Sequence, residues 1–204
     1  MAPVESREDP APSARRTATQ ASVLAATEAL LAEGASYADL NIERIATRAG
    51  ISRTAFYFYF RDKRELLMRL TSEVNDELMG AADGWWSGET EMRDALQRIA
   101  GIYAAHGALL RGVVEVSTYD EEVATYWRAL VGRFAAATRD RIVAEQEAGK
   151  GLEGPAEAMA FALVWMVERT FYEHTVQNTP LDVNQLVDAL SVVFSRAVYG
   201  STSA

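Results

Sequence analysis

The stretch Asn41-Ile-Glu-Arg-Ile-Ala-Thr-Arg-Ala-Gly50-Ile-Ser-Arg-Thr-Ala-Phe-Tyr-Phe-Tyr-Phe60 decides the fold of the N-terminal part of this chain. The apolar residues in its first half follow the i, i+3, i+4, i+7 spacing of one helical face: Ile42, Ile45, Ala46 and Ala49. Gly50 can adopt the left-handed conformation that ends a helix, and Ser52 can cap the next helix. The stretch therefore predicts two short helices joined by a tight turn, an arrangement that presents a helix to a DNA groove.

The second helix of this pair, predicted over residues 52–59, is expected to have two different faces. One face would bury Phe56 and Phe60. The other would carry a cation, a hydroxyl and aromatic rings, supplied by Arg53, Thr54, Tyr57 and Phe58. This mixture suits phosphates and base edges better than a protein core. Arg53 and Thr54 are the candidates for base contacts, because Arg can bind guanine in a bidentate way and Thr offers a hydroxyl and a methyl group.

Residues Asn41 to Leu67 resemble the N-terminal DNA-binding domain of TetR-family transcriptional regulators. Ile45-Ala46 and Ala49-Gly50-Ile51-Ser52 stand where that family has Ile-Ala and Ala-Gly-Val-Ser, and an aromatic-Tyr-x-x-Phe pattern and Lys63 follow. The run from Ser52 to Phe60, together with Glu168-Arg169-Thr170, is most similar to the mycobacterial ethionamide-resistance repressor branch. Two departures are Ala55 in place of the usual Thr and Arg61-Asp62 in place of Pro-Ser.

The resemblance implies further residues that contact DNA. Tyr57, Tyr59 and Lys63 match the family positions that hold phosphates. The remaining candidates are two hydroxyl residues, two arginines of the preceding helix and one exposed aromatic residue: Thr47, Ser52, Arg44, Arg48 and Phe58. Ordinary packing is the alternative for the two tyrosines, and a solvated helix face is the alternative for Arg44 and Arg48.

Composition limits the class of protein. The chain has 204 residues, of which 49% are hydrophobic, enough to bury a core. It has no cysteine, which excludes disulfides, thiolate metal sites and thiol catalysis. Residues 1–20 lack the apolar segment of a signal peptide, and no run approaches the roughly 18 uncharged apolar residues of a membrane span. We therefore expect a soluble, cytoplasmic protein without a membrane partner.

The net charge of −9 is unevenly distributed. Residues 15–70 carry nine basic and six acidic side chains, a balance of +3, and the rest of the chain carries −12. An acidic body with a slightly basic N-terminal region would repel a DNA duplex everywhere except where it docks. The alternative is that the charge only keeps a helical surface soluble.

The whole chain is predicted to be α-helical, with an N-terminal three-helix helix-turn-helix domain and a C-terminal helical bundle. Helices are expected near 18–33, 41–49, 52–59, 62–80, 89–106, 108–117, 120–148, 155–177 and 182–199, about nine in all. Asp62-x-x-Glu65 and Asp182-x-x-Gln185 are capping boxes, and residues 84–88 and 149–154 are expected to be linkers. The domains would be a disordered arm over 1–19, a DNA-binding domain over 20–65, and a ligand-binding and dimerisation domain over 66–204.

Beyond residue 85 the chain has more apolar surface than one bundle seam needs. Filling of the core is the simplest explanation, but the family resemblance implies a cavity for a small hydrophobic effector. Its expected lining is Ile99, Tyr103, Trp127, Leu130, Val131, Phe134, Thr138, Val164, Val167, Glu168 and Phe171. Tyr103, Thr138 and Glu168 would supply the polar contacts, although Glu168 could instead pair with a nearby arginine.

The last two predicted helices are the candidate dimer interface. Residues 161–167 are seven consecutive apolar residues, so the helix that contains them should be buried on nearly all sides. The expected interface core is Met159, Leu163, Leu186, Val187, Leu190, Val193, Phe194 and Val198. A monomeric core is the alternative. A palindromic operator also favours a two-fold dimer, because one short helix reads few bases.

No cofactor or catalytic site is predicted. His106 and His174 are the only histidines and stand far apart, and no Ser-His-acid arrangement, metal-ligand spacing or Gly-rich phosphate loop is visible. The expected protein is not an enzyme but a homodimeric repressor that binds double-stranded DNA at a palindromic operator and is released by a small hydrophobic effector. The alternatives are an all-helical lipid carrier or enzyme, an activator, and a regulator without an effector.

Overall fold

The computed structural model describes residues 12–200, with side chains from residue 14 onward, and every regular element in that range is an α-helix. The helices are α1 Pro12–Ala32, α2 Ile42–Arg48, α3 Arg53–Phe56, α4 Lys63–Ser87, α5 Met92–Ser117, α6 Glu121–Glu147, α7 Ala156–Val176 and α8 Val183–Tyr199. The predicted all-α class is confirmed. The dimer predicted with it concerns a second chain and stays a prediction.

The chain divides into two compact units, Met1–Leu66 and Leu67–Ala204. The first unit contains α1, α2, α3 and the first residues of α4, and the second contains the rest of α4 and α5 to α8. Each unit has its own buried apolar side chains.

The core of the first unit forms around Phe56. Its ring is completely buried and lies 5.4 Å from that of Phe60, and Ile45 of α2 and Val23 of α1 are also fully buried. A helix as short as α3 is not stable by itself in water. Burial of an aromatic or aliphatic side chain contributes about 1.5–3 kcal/mol, so Phe56 and Phe60 hold α3 in place.

The second unit is built around α5, which packs on α6, α7 and α8, while α6 also packs along α7. By length and composition α5 could cross a membrane, although the sequence analysis expected no such segment. Its position among three other helices accounts for its apolar composition, because a helix in the centre of a bundle is apolar on most sides.

The first helix begins earlier than predicted. Residues 12–19, which were assigned to a disordered arm, form the start of α1, while residues 1–11 lie outside the described residues. Pro12 is compatible with a first helical turn because its missing N–H has no partner there. Ala and Arg in this segment have high helix propensity. The error arose because residues 14–18 are exposed and therefore show no apolar periodicity.

One further helix prediction is wrong, and another is confirmed in part. The helix predicted over 52–59 has only its first turn, Arg53–Phe56, after which Phe58 and Tyr59 form i to i+3 hydrogen bonds instead. The helices predicted over 89–106 and 108–117 are joined in one element, α5, and the predicted break between them is confirmed as a kink with non-helical dihedral angles at His106 (φ −113°, ψ 17°). The described residues therefore contain eight helices and not nine.

Residues 84–88, predicted to be a linker, lie mostly within α4, which ends at Ser87. Gly84 is required by close packing, because a Cβ there would lie 2.7 Å from Oγ1 of Thr90. Trp85 is buried with its ring 5.0 Å from that of Phe194, and Nε1 of Trp86 donates to Oγ1 of Thr138 at 3.2 Å. Burial of Trp85 and partial burial of Trp86 outweigh the roughly 1 kcal/mol by which Gly disfavours a helix interior.

Candidate functional site

The turn between α2 and α3 is formed by local hydrogen bonds. The side chain of Asn41 accepts from the backbone N–H of Arg44 at 2.8 Å and caps α2. Gly50 has φ +71°, and the backbone N–H of Ile51 donates to the carbonyl of Ala46 at 3.0 Å. The N–H of Gly50 donates to the carbonyl of Thr47 at 3.1 Å, which completes a Schellman motif. The predicted left-handed conformation of Gly50 is confirmed.

Residues Ser52 to Tyr57 present the predicted mixed face to solvent. Oγ of Ser52 accepts from the backbone N–H of Ala55 at 3.0 Å, so this residue caps α3 as predicted. Arg53 and Thr54 are exposed, and 47% of Tyr57 is accessible even though its ring contacts that of Phe56 edge to face. The inner and outer faces of α3 are therefore those that the sequence indicates.

The other candidate DNA contacts differ in their availability. Phe58 is 73% exposed, Tyr59 is half-buried, and the two arginines of α2 with Thr47 form an exposed row: Arg44, Thr47 and Arg48. Both terminal nitrogens of Arg48 bind the carboxylate of Glu33, and this hydrogen bond lowers the pKa of Glu33 and raises the pKa of Arg48. Arg48 must leave Glu33, or share it, to bind a phosphate.

Lys63 is engaged within the protein, so the phosphate contact predicted for it would require Nζ to leave its present acceptors. Its Nζ donates to the carbonyl oxygens of Tyr37 at 2.9 Å, Ala38 at 3.1 Å and Leu40 at 2.8 Å, and lies 4.8 Å from the centre of the Tyr37 ring. An ammonium group has three donors, so all of them are used inside the protein. Desolvation lowers the pKa of Lys63, with an opposing contribution from Asp39. Lys63 joins the start of α4 to residues 37–40.

The second unit contains a small apolar cavity of about 80 Å³. It is lined by α4, α5, α6, α7 and α8. Nine of the predicted residues line it: Ile99, Tyr103, Trp127, Val131, Phe134, Thr138, Val164, Val167 and Glu168. Leu130 and Phe171 are buried but do not line the cavity. Phe171 packs against Tyr103 instead, with ring centres 5.7 Å apart.

The sequence analysis missed the contribution of α4 to this cavity. Six residues of α4 line it: Thr71, Asn75, Leu78, Ala82, Trp85 and Trp86. Their i, i+4, i+7, i+11 spacing from Thr71 was a usable signal. It was overlooked because the helix was predicted to end at residue 80 and the tryptophans were assigned to a linker. Met92, Ala95, Leu96 and Leu110 of α5 and Phe194 of α8 complete the wall.

Two buried polar side chains of the cavity wall lack hydrogen-bond partners within the protein. Glu168 is 6% exposed and Asn75 4% exposed, and neither oxygen of the carboxyl group nor the amide nitrogen has a partner. An unpaired buried polar group costs about 1–3 kcal/mol. Nε of Arg169 lies 3.8 Å from Oε2 of Glu168, which is beyond hydrogen-bond distance. Burial raises the pKa of Glu168, and burial together with this carboxyl group raises the pKa of Tyr103.

The structure corrects much of the predicted dimer core. Five of its residues are buried inside their own subunit and offer no free surface: Leu163, Val187, Leu190, Phe194 and Val198. Met159 and Leu186 are half-buried, and Val193 is 48% exposed. The run 161–167 is not buried on nearly all sides within the subunit, since Phe161 is 60% exposed. One helical face packs in the core, and the opposite face is apolar and exposed.

Comparison with known proteins identifies the two parts of the chain. Residues 23–70 match the family of bacterial regulatory proteins described as tetR family, and residues 92–200 match the family described as transcriptional regulator EthR, C-terminal domain. Among the described residues, no cluster of three or more histidine or acidic side chains is placed to hold a metal ion.

Individual relatives agree with this assignment. The chain is 28% identical to the HTH-type transcriptional regulator EthR of Mycolicibacterium smegmatis, over 89% of this chain and 87% of that protein. It is 29% identical to EthR of Mycobacterium tuberculosis, over 93% and 94%. The fold resembles that of NalD, the secondary repressor of the MexAB-OprM multidrug efflux pump in Pseudomonas aeruginosa, with a TM-score of 0.68, 18% identity, and 90% and 97% of the chains covered. The predicted family is confirmed: the chain belongs to the TetR family of helix-turn-helix transcriptional regulators, with a C-terminal domain of the EthR type.

Proposed function

We propose that this regulator is a homodimeric repressor that acts in the cytoplasm, binds a palindromic operator and leaves it when a small hydrophobic effector enters the cavity. The observation that carries the proposal is the presence, in one chain, of an exposed helix-turn-helix and of an apolar cavity with unpaired polar groups. An enzyme or a lipid carrier would need the cavity but not the exposed face of α3.

The DNA-binding part of the proposal rests on the residues that α3 exposes. Arg53 and Thr54 occupy its first turn, from which side chains reach base edges in the major groove. Tyr57 and Ser52, with Arg44 and Thr47 of α2, supply donors for phosphates on either side. Lys63 contributes indirectly, because it holds the start of α4 against residues 37–40.

The dimer is supported by an exposed apolar face on α7 and α8. Its members are exposed or half-buried: Phe161, Ala162, Trp165, Met166, Leu186, Ala189 and Val193. A patch of this kind on two adjacent helices is typical of an interface, and a stable interface buries about 1,600 Å² in total. Dimerisation would place two copies of α3 about 34–36 Å apart on DNA, one for each half-site.

Release by an effector is supported by the size of the cavity and by the position of α4. A ligand of drug-like size needs about 300–1,000 Å³, so it must displace side chains from a cavity of about 80 Å³. The wall includes Thr71 to Trp86 of α4, the same helix that begins at Lys63. A ligand that favours a dimer with displaced α3 helices weakens DNA binding by its differential affinity, and about 1–3 kcal/mol is enough.

The test is DNA footprinting on the region upstream of the protein's own gene, with and without a library of lipophilic compounds. The variant Arg53→Ala with Tyr57→Ala should lose the footprint and remain a dimer by light scattering. A matched control is Arg128→Ala with Tyr119→Ala, which removes an exposed arginine and an exposed tyrosine from the second unit. An unchanged footprint for the first pair would refute the assignment of α3, and a monomer would refute the dimer.

A further inference from the structure

The cavity contains one acidic side chain whose surroundings point to a particular ligand. Neither carboxyl oxygen of Glu168 has a hydrogen-bond partner in the protein, and the group is almost completely buried. Buried polar groups are normally paired. Asn75, on α4, is also buried in this wall, and its side-chain amide nitrogen has no hydrogen-bond partner. A bound ligand could provide the hydrogen-bond partners that both groups lack.

The remainder of the wall is aromatic and carries no basic group. The rings that line it are Trp85, Trp86, Tyr103, Trp127, Phe134 and Phe194. No lysine, arginine or histidine is among the described residues of this wall. Arg169, the nearest cation to Glu168, is half-exposed and is engaged by Glu173 and by the ring of Tyr172. The cavity is therefore an aromatic enclosure with a single acid.

We propose that the effector is a lipophilic amine, whose ammonium group binds Glu168 while its hydrocarbon part fills the apolar remainder of the cavity. This inference rests on the proposed function of the cavity as the effector site. An ammonium group supplies N–H donors for the two carboxyl oxygens in charge-assisted hydrogen bonds. Its positive charge is also stabilised by the faces of tryptophan and tyrosine rings.

Other ligand classes fit this wall less well. A fatty acid would bring a second carboxylate beside Glu168, and like charges in a site of low dielectric repel each other. A neutral alcohol could pair with one carboxyl oxygen but has no charge for the carboxylate and the aromatic rings to stabilise. The cavity is small, about 80 Å³, so a single alkyl chain displaces fewer side chains than a bulky polycyclic compound would.

The experiment compares three probes with the same chain length: n-decylamine, 1-decanol and decanoate. Binding to the full-length protein is followed by intrinsic tryptophan fluorescence, since Trp85, Trp86 and Trp127 line the cavity, and by release of operator DNA in a mobility shift. We expect decylamine to bind at least about tenfold more tightly than decanol, and decanoate to bind most weakly. Equal affinity of the amine and the alcohol for the wild-type protein would overturn the inference.

A substitution identifies the group responsible. Glu168→Gln keeps the shape of the side chain and should weaken decylamine binding at least about tenfold while leaving decanol binding within about threefold. Retained decanol binding shows that this variant is folded. Glu157→Gln, at an exposed position on the same helix and outside the cavity wall, is the matched control and should bind decylamine like the wild type. A Glu168→Gln variant that binds decylamine normally would contradict the inference.

The two proposals fail in different ways. If decanol binds and releases DNA but the amine has no advantage, only the choice of amine is wrong. If none of the three probes binds or releases DNA, and the wider lipophilic library also has no effect, the effector function of the cavity is wrong as well.

Discussion

Replacing Lys63 by Met is expected to destabilise the N-terminal unit rather than to remove a DNA contact. In the structure Nζ of Lys63 donates to the carbonyl oxygens of Tyr37 at 2.9 Å, Ala38 at 3.1 Å and Leu40 at 2.8 Å. Methionine keeps a long apolar side chain but has no donor. The substitution therefore leaves three carbonyl oxygens without their partner.

The size of this effect follows from the exposure of the three bonds. Those to Tyr37 and Leu40 are partly buried, whereas the bond to Ala38 is exposed, so water can replace it. An unpaired buried acceptor costs about 1–3 kcal/mol. Desolvation lowers the pKa of Lys63, which means that burying the ammonium group already offsets part of the gain. We expect a loss of about 2 kcal/mol in the free energy of unfolding.

The assay is urea unfolding followed by far-ultraviolet circular dichroism, together with operator affinity at several salt concentrations. Lys150→Met is the matched control, because Lys150 is the only other lysine and is exposed. A phosphate contact would instead leave stability unchanged and reduce the slope of log affinity against log salt by about 0.9 per subunit. That second result would refute the role assigned to Lys63.

Three further predictions concern the turn, the cavity and the dimer. Gly50→Ala should lower the free energy of unfolding by about 1–2 kcal/mol in urea titrations, because Gly50 has φ +71°. The control Gly132→Ala, in a helix with open space around it, should raise the free energy of unfolding by about 1 kcal/mol. Equal effects of the two substitutions would contradict the turn argument. Burial raises the pKa of Glu168 despite Arg169 and with help from Glu173, so wild-type stability should fall as the pH rises above about 4.5 towards the folded-state pKa. Glu168→Gln should lose this dependence, so its stability advantage over the wild type should be larger at pH 7 than at pH 4 in thermal melts; an advantage that does not change with pH would count against the assignment. Val193→Lys, at a half-exposed site on α8, should yield a monomer in light scattering, and an intact dimer would exclude this face.

The helix-turn-helix and the starts of α4 and α8 could be predicted because their determinants are local. Oδ1 of Asp62 accepts from the N–H of Glu65 at 2.8 Å, and Oδ1 of Asp182 accepts from the N–H of Gln185 at 3.1 Å, as the capping boxes indicated. Gly50 and Ser52 end one helix and begin the next for reasons that involve only their immediate neighbours. Phe56 and Phe60 share one face by periodicity and are both buried.

The cavity and the dimer face were predicted less completely because helical periodicity shows which residues share a face but not what that face meets. Phe194 and Val193 are adjacent on α8, yet the first lines the cavity and the second is exposed. Trp85 and Trp86 follow Gly84, and glycine is a residue type that often ends a helix. Only the packing of Trp85 against Phe194 shows why the helix continues.

The sequence by itself determined that this chain is all-helical, where its DNA-reading turn lies and which family it belongs to, since caps, glycines and short-range spacing act within a few residues. Only the tertiary structure decided that Lys63 binds carbonyl oxygens of residues 37–40, that α4 forms part of the cavity, and that Glu168 is buried without a hydrogen-bond partner. These features depend on side chains far apart in the chain, and the free energy that brings them together comes from packing whole helices rather than from any single segment.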